Sequence, residues 1–260
     1  MPLRGKTILV TRVPERSSEM IAEIERLGGR AVLFPTIRIT DPESWDSCDK
    51  AIADISTYEN LIFTSTNAVA KFFDRCRFLG VQAQEFTRMS VYAVGSKTRA
   101  AIEERGVSVA AIPESFSSHE LGRYLGAGSL HGKRFLFPRG NLSGEDLVRI
   151  LSTKGATVDA VTVYRTLGAG RDDVAHVDAL LRVGGIDVVT FASPSAARNF
   201  FTTLVDEPLR RNSGRPAIAV IGGTTASAVL SLGFPVDIVA KESTGIGLVN
   251  AVAEYFKNTE

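Results

Sequence analysis

The chain repeats itself at one long, fixed offset. KTILVTR (6–12) recurs as KRFLFPR (133–139), and ERLGGRAVLFPTI (25–37) resembles STKGATVDAVTVY (152–164). NLIFTSTNAVAKFF (60–73) recurs as DVVTFASPSAARNFF (187–201), YAVGSKTRAAIEERG (92–106) as AVIGGTTASAVLSLG (219–233), and SSHELGRYL (117–125) as TGIGLVNAV (244–252). The offset stays at about 127 residues, too long for a solenoid repeat. Two copies of one module, each large enough to hold a core, are implied.

The module is α/β. Short β-rich apolar runs are candidate strands at Thr7–Thr11, Ala31–Phe34, Asn60–Phe63, Ser90–Val94, Ser108–Ile112, Arg134–Phe137, Thr157–Val163, Asp187–Phe191, Ala217–Ile221 and Val236–Val239. Between most of them lie helix-length amphipathic runs. One places Met20, Ile21, Ile24 and Leu27 on one face and closes at Gly28-Gly29, a helix C-cap signal. Strand, helix and strand with short glycine-marked joints predict parallel sheets covered on both faces. A simple cut between copies falls near Gly128. PTIRIT (35–40) and AVTVYRTL (160–167) allow another: both are extended and β-branched, and as a paired two-stranded connector they would leave a central domain inside a discontinuous one.

Composition excludes several classes. Of 260 residues, 30 are Lys or Arg and 29 are Asp or Glu, so no basic excess marks a nucleic-acid binder. Cys48 and Cys76 are too few and too far apart in sequence for a zinc ribbon or redox pair, and read as buried thiols of a reducing cytoplasm. No apolar stretch could span a bilayer, and the apolar run of MPLRGKTILVTR is too short for a secretion signal. A cytoplasmic protein, off the membrane, is expected.

The usual catalytic motifs are missing. Gly95-Ser96-Lys97-Thr98 lacks the upstream glycine of a phosphate loop, and Gly126-Ala127-Gly128 lacks the third glycine of a dinucleotide fingerprint. His119, His131 and His176 have no metal-ligand spacing and are expected on the surface. What remains is four joints from strand to helix: Phe63-Thr64-Ser65-Thr66-Asn67, Val94-Gly95-Ser96-Lys97-Thr98, Phe191-Ala192-Ser193-Pro194-Ser195 and Ile221-Gly222-Gly223-Thr224-Thr225. Ligands of open parallel sheets bind at the carboxyl edge, where first-turn amides attract anions. Plain N-capping explains any one joint; four at equivalent places suit a two-sided anion site. Arg12 and Arg139 end equivalent strands, Arg38 and Arg165 lie in the connector segments, and Tyr164 precedes Arg165.

These residues resemble the uroporphyrinogen-III synthase family from about Thr7 to Val252. The landmarks are Val10-Thr11-Arg12, Phe63-Thr64-Ser65 with Asn67-Ala68-Val69, Val94-Gly95 with Thr98, Val163-Tyr164 with Thr166, Phe191 with Ser193-Pro194, and Ile221-Gly222 with Thr224-Thr225-Ala226. Thr66 stands where the family often has proline, and Ala192 where Thr or Ser is common. The resemblance implies two flavodoxin-like α/β domains, 1–36 with 167–260 and 37–166, joined by a two-stranded β linker with the active-site cleft between them. It implies closure of hydroxymethylbilane, a linear tetrapyrrole with eight carboxylates, to uroporphyrinogen III with inversion of the last ring and loss of water. No metal or organic cofactor is implied; neither a nucleic-acid nor a membrane partner is expected, and a monomer is expected. Arg12, Arg38, Ser65, Thr98, Arg139, Ser193, Thr224 and Thr225 would hold the acetate and propionate groups. Tyr164 would donate a hydrogen bond to the departing hydroxyl. Such chemistry suits a chain without reactive motifs, because the pyrroles are themselves reactive and orientation is the main requirement. The competing expectation is a two-domain module that binds a small anion without catalysis.

Overall fold

The apolar runs become ten strands among the described residues: β1 (Thr7–Val10), β2 (Arg30–Leu33), β3 (Ile37–Thr40), β4 (Asn60–Phe63), β5 (Ser90–Ala93), β6 (Arg134–Gly140), β7 (Thr157–Gly168), β8 (Val188–Phe191), β9 (Ala217–Val220) and β10 (Ile238–Val239). The computed structural model describes residues 1–110, 118–204, 209 and 214–258. Ten α-helices lie among them: α1 (Ser18–Arg26), α2 (Asp46–Ala53), α3 (Thr66–Phe78), α4 (Ser96–Glu103), α5 (Ser118–Leu125), α6 (Asp146–Thr153), α7 (Arg171–Arg182), α8 (Pro194–Thr203), α9 (Gly223–Ser231) and α10 (Gly245–Lys257).

The strands form two sheets, ordered β10-β9-β8-β1-β2 and β3-β7-β6-β4-β5. The chain divides into unit 1, residues 1–38 and 167–260, and unit 2, residues 39–166. It passes from one unit to the other inside β3 and inside β7, which are neighbours in one sheet. β1 pairs in parallel with β2 and β8, β8 with β9 and β9 with β10; β4 pairs in parallel with β5 and β6, and β6 with β7. The repeat explains the two orders. Matching copies by offset, β5-β4-β6-β7 corresponds to β9-β8-β1-β2. Each sheet takes adjacent strands from both copies.

Burial on both faces follows from the continuous apolar strands. In unit 1, Leu9, Val189, Phe191, Ile218 and Val220 face one core with α7, α8 and α9; Ile8, Val10, Val188 and Ala219 face another with α1 and α10. In unit 2, Leu61, Phe63, Val91 and Leu136 meet α2, α3 and α4, whereas Ile62, Phe135 and Phe137 meet α5 and α6. The repeat extends to individual rings. Phe63, Phe72 and Phe73 pack with centroids 5.6 Å apart, and Phe191, Phe200 and Phe201 repeat the cluster at 5.2–5.4 Å. Cys48 and Cys76 share the first of these cores, and burial pushes both thiols up to about 12, so they stay protonated and inert.

Three strand expectations change. Ser108–Ala110 is not a strand, although the Ala110 N–H donates to the Val91 carbonyl at 2.8 Å, beside β5 as β10 lies beside β9; Ala111, Ile112 and Ser117 of the repeat fall outside the described residues. β10 shrinks to two residues because Asp237 caps the sheet edge instead, its carboxylate accepting from the Ile218 N–H at 2.7 Å while pairing with Arg215. β7 runs on to Gly168, so two expected extended runs are one strand. His119, His131 and His176 are exposed. No described helix is long and apolar enough to cross a membrane.

Candidate active site

Strand order creates a special point in each unit. In unit 1 the connections leave in opposite directions from β1 and β8, and in unit 2 from β4 and β6. The diverging helices leave a crevice beyond the carboxyl ends of these two strands, where open α/β sheets bind ligands.

In unit 1 that crevice is a pocket of about 330 Å³. Thr11, Arg12 and Val13 line it from the end of β1, Ala192 and Ser193 from the end of β8, and Thr36 and Ile37 from the segment entering β3. Arg16, from the 3-10 turn Pro14–Arg16, and Ser195 and Asn199 of α8 complete its polar lining. Ser193 caps α8, its Oγ accepting from the Ala196 N–H at 3.2 Å and lying 3.1 Å from the Ser195 Oγ. Pro194 fits the first turn because no amide there needs an internal partner. The pocket thus brings together Arg12 and Ser193 from the sequence reading, and adds Arg16, Thr36, Ser195 and Asn199.

In unit 2 the equivalent place is closed by an aromatic ring. Ser65 caps α3, accepting from the Ala68 N–H at 3.1 Å, and its Oγ shares a 3.2 Å hydrogen bond with the Tyr164 hydroxyl. Tyr164 stands on β7 and Ser65 follows β4, with β6 between them. The ring reaches across because β6 ends in Gly140: a Cβ there would lie 2.7 Å from the Tyr164 Cε2 and Oη. Gly140 pairs with Tyr164 in the ladder just past a bulge, and the Asn141 N–H donates to the Tyr164 carbonyl at 3.2 Å. Asn141 Oδ1 accepts from the Thr166 N–H at 2.8 Å, fixing the strand beyond the tyrosine. A smaller opening of about 210 Å³ remains beside β4, lined by Thr64, His119, Ser143 and Asp146 among others. The Arg149 hydrogen bond holds the Asp146 carboxyl below the usual carboxylate range.

Thr98 and Thr225 occupy matching positions in the first turns of α4 and α9. They are 5% and 2% exposed, and neither hydroxyl has a hydrogen bond among the described residues. The caps differ: Gly95 has φ 86°, which favours glycine, whereas Gly222 is extended at φ 170°. Thr224 is exposed beside Thr225.

The repeated arginines diverge. Arg139, with its side chain 18% exposed, places Nη1 2.7 Å from Glu145 Oε1. This is an ion pair without hydrogen-bond alignment, so that buried Nη1 keeps unfilled donor capacity. Arg165 pairs with Glu43 at 2.6 Å. Arg12 and Arg38 have no carboxylate partner among the described residues. The offset gives the reason: Ser18 stands at the position equivalent to Glu145, and Gly170, which approaches the Arg38 guanidinium, stands at that of Glu43. Among the described residues no group of His, Cys, Asp and Glu could hold a metal ion.

The fold and site define an α/β protein with a polar opening at the carboxyl edge of each sheet, among Ser and Thr side chains. The profile of the family described as HEM4, uroporphyrinogen-III synthase HemD, matches residues 18–250. A uroporphyrinogen-III synthase of Chlorobaculum parvum is 31% identical over 97% of this chain and all of its own length. One of Synechococcus elongatus is 31% identical over 99% of this chain and 98% of its own. A mutant uroporphyrinogen III synthase of Thermus thermophilus shares the fold at a TM-score of 0.65 and 18% identity, over 98% of this chain and all of that one. The chain belongs to the uroporphyrinogen-III synthase family.

Proposed function

We propose that this chain closes hydroxymethylbilane to uroporphyrinogen III. The observation that carries this reading is the family profile across 18–250, joined to two strand-end sites suited to a polycarboxylate. The organisation we favour is two flavodoxin-like domains joined by the strands β3 and β7, each domain offering its own carboxyl edge to the substrate.

The substrate supplies most of the reactivity. A pyrrole nitrogen lone pair expels the terminal hydroxyl, breaking the C–O bond and leaving a stabilised cation. The substituted carbon of the last ring attacks that cation and forms a spiro intermediate. One of the older C–C bonds of the spiro centre then breaks and re-forms at the other side of the ring, and loss of a proton restores the pyrrole. The leaving hydroxide takes up a proton, so water is the other product. Direct end-to-end closure would give the type I isomer, and the protein's task is to hold the tail in the inverting geometry.

In this reading Tyr164 donates to the departing hydroxyl, and Ser65 holds the phenol in place. Arg12, Arg38, Ser193, Thr98, Thr224 and Thr225 receive acetate and propionate groups, aided by first-turn amides. Arg139 receives one only by exchanging Glu145 for it. The test is to supply fresh hydroxymethylbilane, oxidise the products and separate the isomers. Type III in excess over the spontaneous type I supports the reading. A ratio equal to that of a protein-free control rejects it and leaves the non-catalytic anion binder.

A further inference from the structure

We propose that the pocket at the β1–β8 crevice is a seat for a single carboxylate arm, with Arg16, Thr36 and Asn199 as ligands beside Arg12 and Ser193. This rests on the polycarboxylate substrate proposed above and specifies where one of its acid groups docks. Two arginines line the pocket and no acidic residue does. The amino end of α8 adds positive potential at the same wall. Thr36 supplies an independent indication: it is 3% exposed, it lines the pocket, and its hydroxyl has no hydrogen bond among the described residues. A ligand oxygen in the pocket would supply the hydrogen bond that this hydroxyl lacks. Asn199, one turn into α8, lines the pocket with an amide group. At about 330 Å³ the space lies at the small end of ligand sites, suited to an acid arm and the ring that bears it rather than a whole tetrapyrrole. The corresponding opening of unit 2 is smaller, about 210 Å³, and is lined by Asp146, which Arg149 pairs at 2.7 Å.

Steady-state kinetics with hydroxymethylbilane test the seat. Arg16→Gln should raise KM about tenfold with kcat within about twofold, the mark of a contact kept throughout the reaction. Thr36→Val should raise KM about threefold without lowering Tm, because the lost hydroxyl has no internal partner to abandon. Lys257→Gln, on the exposed end of α10, should change neither constant. Unchanged KM in both Arg16→Gln and Thr36→Val, in a protein whose wild type makes the type III isomer, would overturn the seat and leave the function standing. A fall in Tm for Thr36→Val would also count against it, since the hydroxyl would then serve the fold. If the wild type makes no type III isomer, the function fails, and the seat is decided by fluorescence titration with uroporphyrin III, an octacarboxylate. Weaker binding by Arg16→Gln, by about tenfold, then upholds it, and equal binding rejects it.

Discussion

Residues 12, 13 and 37 of unit 1 match residues 139, 140 and 164 of unit 2, and the two sets do different things. In unit 2, Gly140 makes room for the Tyr164 ring, the phenol reaches Ser65, and Arg139 faces Glu145. In unit 1, Val13 and Ile37 stand in place of the glycine and tyrosine, Ser193 opens on a pocket, and Arg12 has no carboxylate partner among the described residues. The two copies share the ring cluster and the Ser65 and Ser193 caps, and they differ at these strand ends. Unit 1 offers charge and space, and unit 2 offers a positioned hydroxyl.

Four experiments would break or sharpen that division. Phe72→Ala and Phe200→Ala remove equivalent rings from the shared scaffold, and each should cost about 3–5 kcal/mol of stability by denaturant unfolding. Very unequal losses would show that the copies have diverged in their cores as well. Tyr164→Phe should lower kcat about a hundredfold with little change in KM, and Gly140→Ala should match it by displacing the ring. In a Tyr164→Ala background Gly140→Ala should have little further effect; full additivity would mean that the glycine serves something else. Arg139→Gln should raise KM less than about threefold, clearly below the effect at Arg16, because Glu145 already occupies that guanidinium. Last, Glu145→Gln should lower KM about twofold by freeing Arg139, a small effect because the Glu145 carboxylate is largely exposed to water.

Much of the scaffold was legible in the residues. The apolar runs marked nearly every strand because parallel strands buried on both faces need continuous hydrophobicity. Ser65 and Ser193 were legible as caps for a similar reason, since an N-cap is a local event. Tyr164 was visible, but its partner was not: its contact with Ser65 needs β7, β6 and β4 side by side, and sequence spacing does not report that order. Gly140 carries a weak signal of its own, because a lone glycine closing a strand marks close approach by another group. Arg16, Thr36 and Asn199 carry none, being ordinary polar residues until the crevice gathers them. The unequal fates of Arg12 and Arg139 are written in Ser18 and Glu145, and comparing acids at the repeat offset would find them.

The exchange of strands between copies also bears on how the polypeptide matures. β1 finds one of its two neighbours, β8, only after some 180 further residues have been made. Unit 2, by contrast, is an uninterrupted stretch of chain. On a ribosome the middle of the protein can complete its hydrophobic interior while the opening segment still waits, and the late-arriving carboxyl-terminal third decides when that segment is rescued from solvent.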